Sequence, residues 1–178
     1  MSTDKKKDKK LTTVYITYSG NLKQVIAQHF NRKNISLKKT ENNAPYLTGT
    51  KQNISLSHKD KFLIVAFSDG KVGVDLEFPK DKETLLRIAR RYFCESENEK
   101  VKTVSDFYTA WTKKESYAKL TSEGLNSEIL ATDTFFDFIE IEGKTYFYCT
   151  DTSLDGYMIT VLSEDKAIKV KNLTKKEN

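Results

Sequence analysis

At 178 residues the chain is long enough for one compact unit with a sizeable core, and 38% hydrophobic against 31% charged residues is a globular composition. No apolar run approaches the roughly 20 residues that span a bilayer, and no apolar stretch follows the lysine-rich residues 1–10, so neither a membrane span nor a secretory signal is expected. The net charge of +5 sits at the ends: residues 1–10 hold five lysines against two aspartates, residues 171–178 hold three lysines against one glutamate, and the body between is formally neutral, which argues for solvated tails and against a nucleic-acid partner.

Along the chain, residues 13–17 alternate apolar and polar and predict a strand. Residues 21–30 set Leu22, Val25, Ile26 and Phe30 at helical spacing, with Asn21 as the N-cap. A short strand is expected at 35–39, then a polar loop through 41–43. Residues 54–57 predict another short strand, ending in a turn at His58, Lys59 and Asp60. Residues 62–68 are nearly all apolar, as in a central strand, and Asp69-Gly70 predicts a hairpin turn that pairs it with a strand at 72–77.

Pro79 ends that strand. Asp81 is placed to cap a helix reaching about residue 91, with Leu85, Leu86, Ile88 and Ala89 on its apolar side. Arg87, Arg90 and Arg91 fall elsewhere on it, a solvated face or a docking surface for an acidic partner. Ser96 with Glu99 three residues on has the form of a capping box and predicts a helix from Glu97. A long helix over 105–120 turns Phe107, Ala110, Trp111 and Ala118 inward and leaves Lys113 and Lys114 as surface charges, with Gly124 in the following loop. Strands are expected at 134–141, 145–150 and 157–162, separated by turns at Glu142-Gly143 and Asp155-Gly156. Strand, helix, three strands, helices, three strands is an α+β order rather than a doubly wound parallel sheet. Each half sets a helix before a cluster of strands, which suggests two lobes. Cys94 and Cys149 have no metal-ligand spacing, and His29 and His58 add no zinc pattern; a reducing cytoplasm fits.

Two segments carry chemistry. In Val-Gly-Val-Asp-Leu-Glu at 72–77, alternation sends Val72, Val74 and Leu76 to one face and Asp75 and Glu77 to the other. In Trp-Thr-Lys-Lys-Glu-Ser-Tyr-Ala-Lys at 111–119, Glu115 and Lys119 share one side of a helix. Three carboxylates from two rigid elements suit a hard divalent cation, and a lysine beside them suits an anionic substrate such as a pyrophosphate. Each feature alone also has a plain reading: a solvated strand face, an exposed ion pair, a surface histidine at His58, and a carboxylate at Glu97 complementing a helix dipole. No Walker loop, dinucleotide fingerprint, nucleophile elbow or HExxH is present.

Taken together, three blocks resemble the 4′-phosphopantetheinyl transferases, in particular the two-lobed type that activates peptide and polyketide synthetases. The blocks are Asn-Ile-Ser-Leu-Ser-His at 53–58, Val-Gly-Val-Asp-Leu-Glu at 72–77, and Arg-Tyr-Phe-Cys-Glu-Ser-Glu at 91–97 followed by the helix segment at 107–119. The resemblance spans roughly residues 45 to 125. It implies two similar α+β lobes, at about 11–77 and 78–172, with the site between them and tails at 1–10 and 173–178. It implies Asp75, Glu77 and Glu115 as magnesium ligands, Glu97 as general base and Lys119 beside the coenzyme A pyrophosphate. His58, with Ser57 and Lys59 next to it, would contact coenzyme A phosphates. The implied reaction moves phosphopantetheine from coenzyme A to a serine of an apo acyl or peptidyl carrier protein, in a cytoplasmic monomer. The chain departs from the family where a lysine usually precedes the proline, here Ala44 before Pro45, and where Ser or Thr often follows the histidine, here Lys59. The N-terminal lobe also looks trimmed.

Overall fold

The computed structural model describes residues 11–32, 34–80 and 83–175. In chain order the elements are β1 (Thr12–Tyr18), α1 (Leu22–Phe30), β2 (Ser36–Lys39), β3 (Pro45–Thr48), β4 (Asn53–Lys59), β5 (Phe62–Ser68), β6 (Val72–Glu77), α2 (Glu83–Tyr92), α3 (Glu95–Lys100), α4 (Val104–Thr121), α5 (Ser127–Ala131), β7 (Phe138–Ile141), β8 (Lys144–Asp151), β9 (Met158–Ser163) and β10 (Ile168–Asn172). The α+β class expected from the sequence is the class observed.

Two four-stranded sheets carry the fold, in the orders β10-β1-β5-β4 and β6-β9-β8-β7, with β2 and β3 as a separate pair. β5 is apolar along its length because both of its faces are buried. Phe62, Ile64 and Ala66 meet Val14 and Ile16 of β1, Val72, Val74 and Leu76 of β6, and Ile159 and Val161 of β9 in a core between the sheets. Leu63, Val65 and Phe67 point the other way and pack with Tyr15, Val25, Ile26 and Ile54 under α1. The second sheet buries its outer face against α4, through Tyr117, Ala118, Leu120, Tyr146 and Leu162.

The expected hairpin at Asp69-Gly70 is absent. β1 and β4 occupy both edges of β5, so β6 crosses to the other sheet and pairs antiparallel with β9, from Val72 opposite Ser163 to Glu77 opposite Met158. β10 returns to the first sheet, parallel to β1. Sheet membership therefore does not follow a division at residue 77: β6 belongs with the C-terminal strands and β10 with the N-terminal ones. Both β10 and β3, which starts at Pro45, went unread in the sequence, as did α5.

Local signals fared unevenly. His58 and Lys59 continue β4, and the turn falls at Asp60-Lys61 with Asp60 at φ 51°. Asn21 occupies the N-cap position of α1 but makes no cap bond; its Nδ2 donates to Thr17 Oγ1 at 3.3 Å. Ser96 is not a cap either: α3 starts at Glu95 behind Cys94, and the Ser96 hydroxyl donates to Asp133 Oδ2 at 2.7 Å. A genuine capping box does open α4, where Thr103 and Asp106 exchange bonds. The expected cap at Asp81 and the tail at residues 1–10 lie outside the described residues.

Candidate active site

Gly73 fixes how α4 lies on β6. A Cβ there would sit 1.8 Å from the Ser116 carbonyl oxygen and 2.8 Å from the Leu120 amide nitrogen. The helix backbone thus rests directly on the strand, and only glycine permits the approach. Residues 115 and 119 neighbour that contact on the helix, while alternation along β6 turns Asp75 and Glu77 to the same side as Gly73. The packing therefore holds Glu115 and Lys119 beside the two strand carboxylates. Gly73→Ala is expected to cost about 3 kcal/mol of stability, the upper end for overpacking, because two backbones rather than a pliable side chain must move apart. Urea unfolding within about 0.5 kcal/mol of the parent would show that this contact is dispensable.

β4 supplies the opposite wall. Ser55, Ser57 and Lys59 alternate onto the side of β4 that meets β6. Ser55 Oγ accepts the Val74 N–H at 3.0 Å, and Ser57 Oγ accepts the Leu76 N–H at 3.1 Å. These hydroxyls satisfy amides on the edge of β6 that β9 does not cover. Ser57 also donates to Asp75 Oδ1 at 3.0 Å and accepts from Lys119 Nζ at 2.9 Å. With one proton and two lone pairs committed, it is a saturated hub.

Around that hub, Lys119 Nζ lies 2.7 Å from Asp75 Oδ1, and Lys59 Nζ lies 2.5 Å from Glu77 Oε2. The Glu77 carboxylate, as a direct acceptor, shifts the Lys59 ammonium upward in pKa. The Glu115 carboxyl is pushed up, first by burial and then by the negative charge of Asp75, with Lys119 opposing and Glu77 adding to the rise. Asp75 is only 4% exposed, yet its Oδ2 has no hydrogen-bond partner among the described residues.

These side chains line one cleft of about 330 Å³, with Leu56, His58 and Leu76. A second hollow of about 300 Å³ shares Leu56, Glu115 and Lys119 with it and runs past Asn42, Asn43, Ala44 and Pro45 to Ser122. Among the described residues Lys119 is the only cation on its wall. A larger concavity of about 880 Å³, between α1 and β2, has no carboxylate among the described residues that line it.

Among the described residues no three His, Cys, Asp or Glu side chains close into a coordination cluster. Lys59 and Lys119 engage Glu77 and Asp75 instead. The donor set still fits a hard divalent cation. A buried carboxylate oxygen without a partner and a carboxyl raised by burial and then by its acidic neighbours both gain from a cation placed among them.

Of the residues singled out in the sequence, the cleft gathers Ser57, His58, Lys59, Asp75, Glu77, Glu115 and Lys119. His58 is exposed, and its ring makes no hydrogen bond among the described residues. Glu97 stands apart. It is fully buried and lines neither hollow. Its Oε1 accepts from the Thr134 N–H and hydroxyl at 2.9 and 2.7 Å, and Lys114 Nζ meets its Oε2 at 2.7 Å as an ion pair rather than a well-aligned hydrogen bond. The expectation of a general base at Glu97 does not match this position.

Lys113 and Lys114, expected on the surface, are also buried. Lys113 Nζ donates to the Phe136 carbonyl at 2.9 Å. Lys114 Nζ donates to the Leu130 carbonyl at 2.8 Å and to the Ile129 and Thr132 carbonyls. Burial pushes both ammonium groups down, with Glu97 opposing the effect at Lys114. Sequence reasoning missed Ser55, Gly73 and the Glu97–Lys114 pair. The strict alternation of Ser55 and Ser57 on one strand was the one signal that pointed to a shared face.

The sequence matches the 4′-phosphopantetheinyl transferase superfamily over residues 71–176, a span that contains the three cleft carboxylates and Lys119. Among curated proteins it is similar to 4′-phosphopantetheinyl transferase Sfp of Bacillus subtilis, with 30% identity over 112 residues, 60% of this chain and 48% of that protein. It is also similar to 4′-phosphopantetheinyl transferase gsp of Aneurinibacillus migulanus, with 31% identity over 99 residues, 52% of this chain and 40% of that protein. A third relative is 4′-phosphopantetheinyl transferase HetI of a Nostoc species, 31% identical over 78 residues, 40% of this chain and 33% of that protein. The chain spans about half or less of the length of these relatives. The match runs through more than half of the chain and through β6 and α4, the two elements that hold the carboxylates, so the chain belongs to the 4′-phosphopantetheinyl transferase superfamily.

Proposed function

We propose that the chain transfers the 4′-phosphopantetheine group of coenzyme A to a serine hydroxyl of an apo acyl or peptidyl carrier protein, with release of 3′,5′-adenosine bisphosphate. The observation that carries this reading is the buried, unpartnered Asp75 Oδ2 in a cleft that also holds Glu77, Glu115 and Lys119. Asp75, Glu77 and Glu115 are the residues that would hold Mg²⁺, which when bound neutralises charge on the phosphate oxygens.

The chain's own groups do the rest. Lys119 Nζ, held by Ser57 and Asp75 at the junction of the two hollows, is aimed where a bridging pyrophosphate would lie, so it orients the phosphates and stabilises charge that develops on them. The hollow past Asn42–Pro45 suits the nucleotide end of the substrate, and His58 and Lys59 flank the other end of the cleft. The serine oxygen forms a bond to the β-phosphorus as the bond to the bridging oxygen breaks. The serine proton passes to water or to an acceptor on the cleft wall, where carboxylates and the His58 imidazole are the candidates. Glu97 anchors α3 to α4 and takes no proton from the serine. A cytoplasmic setting suits the free thiols Cys94 and Cys149, and no helix among the described residues is long and apolar enough to cross a membrane. The three arginines of α2 are exposed and give an acidic carrier a surface to approach. A monomer suffices, because one chain supplies every residue of the cleft.

A second reading is a relative that binds coenzyme A or a carrier protein without efficient transfer. It is favoured by Ala44 in place of lysine, which leaves Lys119 as the sole cation of the second hollow among the described residues. Intact-protein mass spectrometry of an apo acyl carrier protein separates the two. After incubation with the chain, coenzyme A and Mg²⁺, the carrier is expected to gain one phosphopantetheine, and EDTA is expected to abolish the gain. No gain across several carriers, with coenzyme A binding demonstrated, would establish the second reading.

A further inference from the structure

We propose that Lys59 is an internal counter-ion that competes with the divalent cation for Glu77 and hands Glu77 over only when an anionic substrate draws the lysine away. The proposal rests on the transferase reading and concerns one residue at which this chain departs from its family's pattern.

Three observations support it. Lys59 is the last residue of β4 and Glu77 the last of β6, so the pair closes the open end of the cleft just past the Ser55 and Ser57 contacts. The lysine side chain is 36% exposed and the glutamate 18%, so the pair is reachable from solvent and not locked into the core. The two carboxylates deeper in the cleft hold a single lysine pair between them. Asp75 has a lysine on one oxygen and nothing on the other, and Glu115 makes no hydrogen bond among the described residues.

All three candidate ligands hold free oxygen capacity, but Asp75 and Glu77 each share one oxygen with a lysine, and Glu77 does so at the solvent-reachable end of the cleft. A cation entering the cleft alone meets Asp75 and Glu115, plus a lysine charge at close range that disfavours it. A pyrophosphate-bearing substrate reverses the balance. Its oxygens offer Lys59 a second acceptor of higher charge, and Lys59 on leaving Glu77 releases that carboxylate for the cation. Cation and anionic substrate then bind with positive coupling beyond their direct attraction, and Lys59 carries that added part. A serine or threonine at this position cannot ion-pair with Glu77, so its cation site stays open whether substrate is present or not.

Mn²⁺ binding, read by electron paramagnetic resonance of the free ion, tests this with coenzyme A absent and at saturation. The parent protein is expected to bind Mn²⁺ weakly alone and at least about fivefold more tightly with coenzyme A, the lower end of ordinary allosteric coupling. Lys59→Ser is expected to bind Mn²⁺ alone at least about fivefold more tightly than the parent, and to gain less from coenzyme A than the parent does. Lys59→Met, which keeps the length of the stem without its charge, is expected to follow the serine variant and excludes a packing effect. Equal Mn²⁺ affinity of parent and Lys59→Ser without coenzyme A overturns the proposal while leaving the cleft as a cation site. Failure of Asp75→Ala to weaken Mn²⁺ binding under either condition overturns the cleft reading itself, and the proposal with it.

Discussion

Asp75→Ala is expected to lower carrier modification by at least about 10²–10³-fold, the loss typical when one preorganised electrostatic group is removed from a site where charge develops. The fold should survive. Asp75 is buried, but its partners are not stranded by its loss: Lys119 is 30% exposed and can turn to water, and Ser57 keeps the Leu76 N–H as a donor to its oxygen. The expected stability cost is about 1.5–3 kcal/mol, the scale of a lost charge-assisted hydrogen bond. The gap between a large kinetic effect and a small thermodynamic one is the signature sought. Asp75→Asn sharpens it, since the amide oxygen can still accept from Ser57 and Lys119 while the negative charge is gone. Mass-spectrometric turnover and urea unfolding on the same preparations check both halves. Near-parental turnover in either variant would remove Asp75 from the metal set and with it the main support for the transferase mechanism.

Much of this was legible in the sequence, for identifiable reasons. β5 and β6 announce themselves by hydrophobic pattern, and α4 by its length and helical spacing. The carboxylates of β6 and the pair at Glu115 and Lys119 were placed by strand and helix periodicity alone. Pairing was not legible. Asp69-Gly70 has the letters of a hairpin, but whether β6 can pair with β5 depends on β1 and β4 already flanking β5, and that is a property of the whole sheet. The parallel docking of β10 on β1 joins the two ends of the described chain, and no local pattern encodes such a contact. Burial of charge was also hidden. Lys113, Lys114 and Glu115 look alike in sequence, yet two are sealed inside and the third faces the cleft, because α4 is covered on several sides rather than one. The same helix explains why apolar periodicity marks its core face so weakly: Thr112, Lys113, Lys114 and Ser116 are all buried with hydrogen-bond partners instead.

The Glu97–Lys114 pair yields the second large effect. Both side chains are fully buried. Lys114 also gathers carbonyls at the end of α5, while Glu97 holds the amide and hydroxyl of Thr134. The pair therefore ties α3, α4 and the segment after α5 into one unit. Breaking a buried pair from one side leaves the other charge without compensation, a loss of about 3–5 kcal/mol. Glu97→Gln is expected near the lower end, because Lys114 retains its carbonyl acceptors, and Lys114→Met near the upper end, because the Glu97 carboxylate keeps only Thr134. The double variant should be more stable than the sum of the two losses implies, since neither charge is then stranded. A base at the same position predicts a different pattern: Glu97→Gln would fold with parental stability and lose turnover by two orders of magnitude or more at temperatures where it is fully folded. Unfolding curves of the four proteins, with turnover measured well below the lowest transition, decide between an anchor and a base. Large destabilisation with turnover within a few-fold of the parent makes Glu97 the anchor and directs the search for the proton acceptor back to the cleft wall.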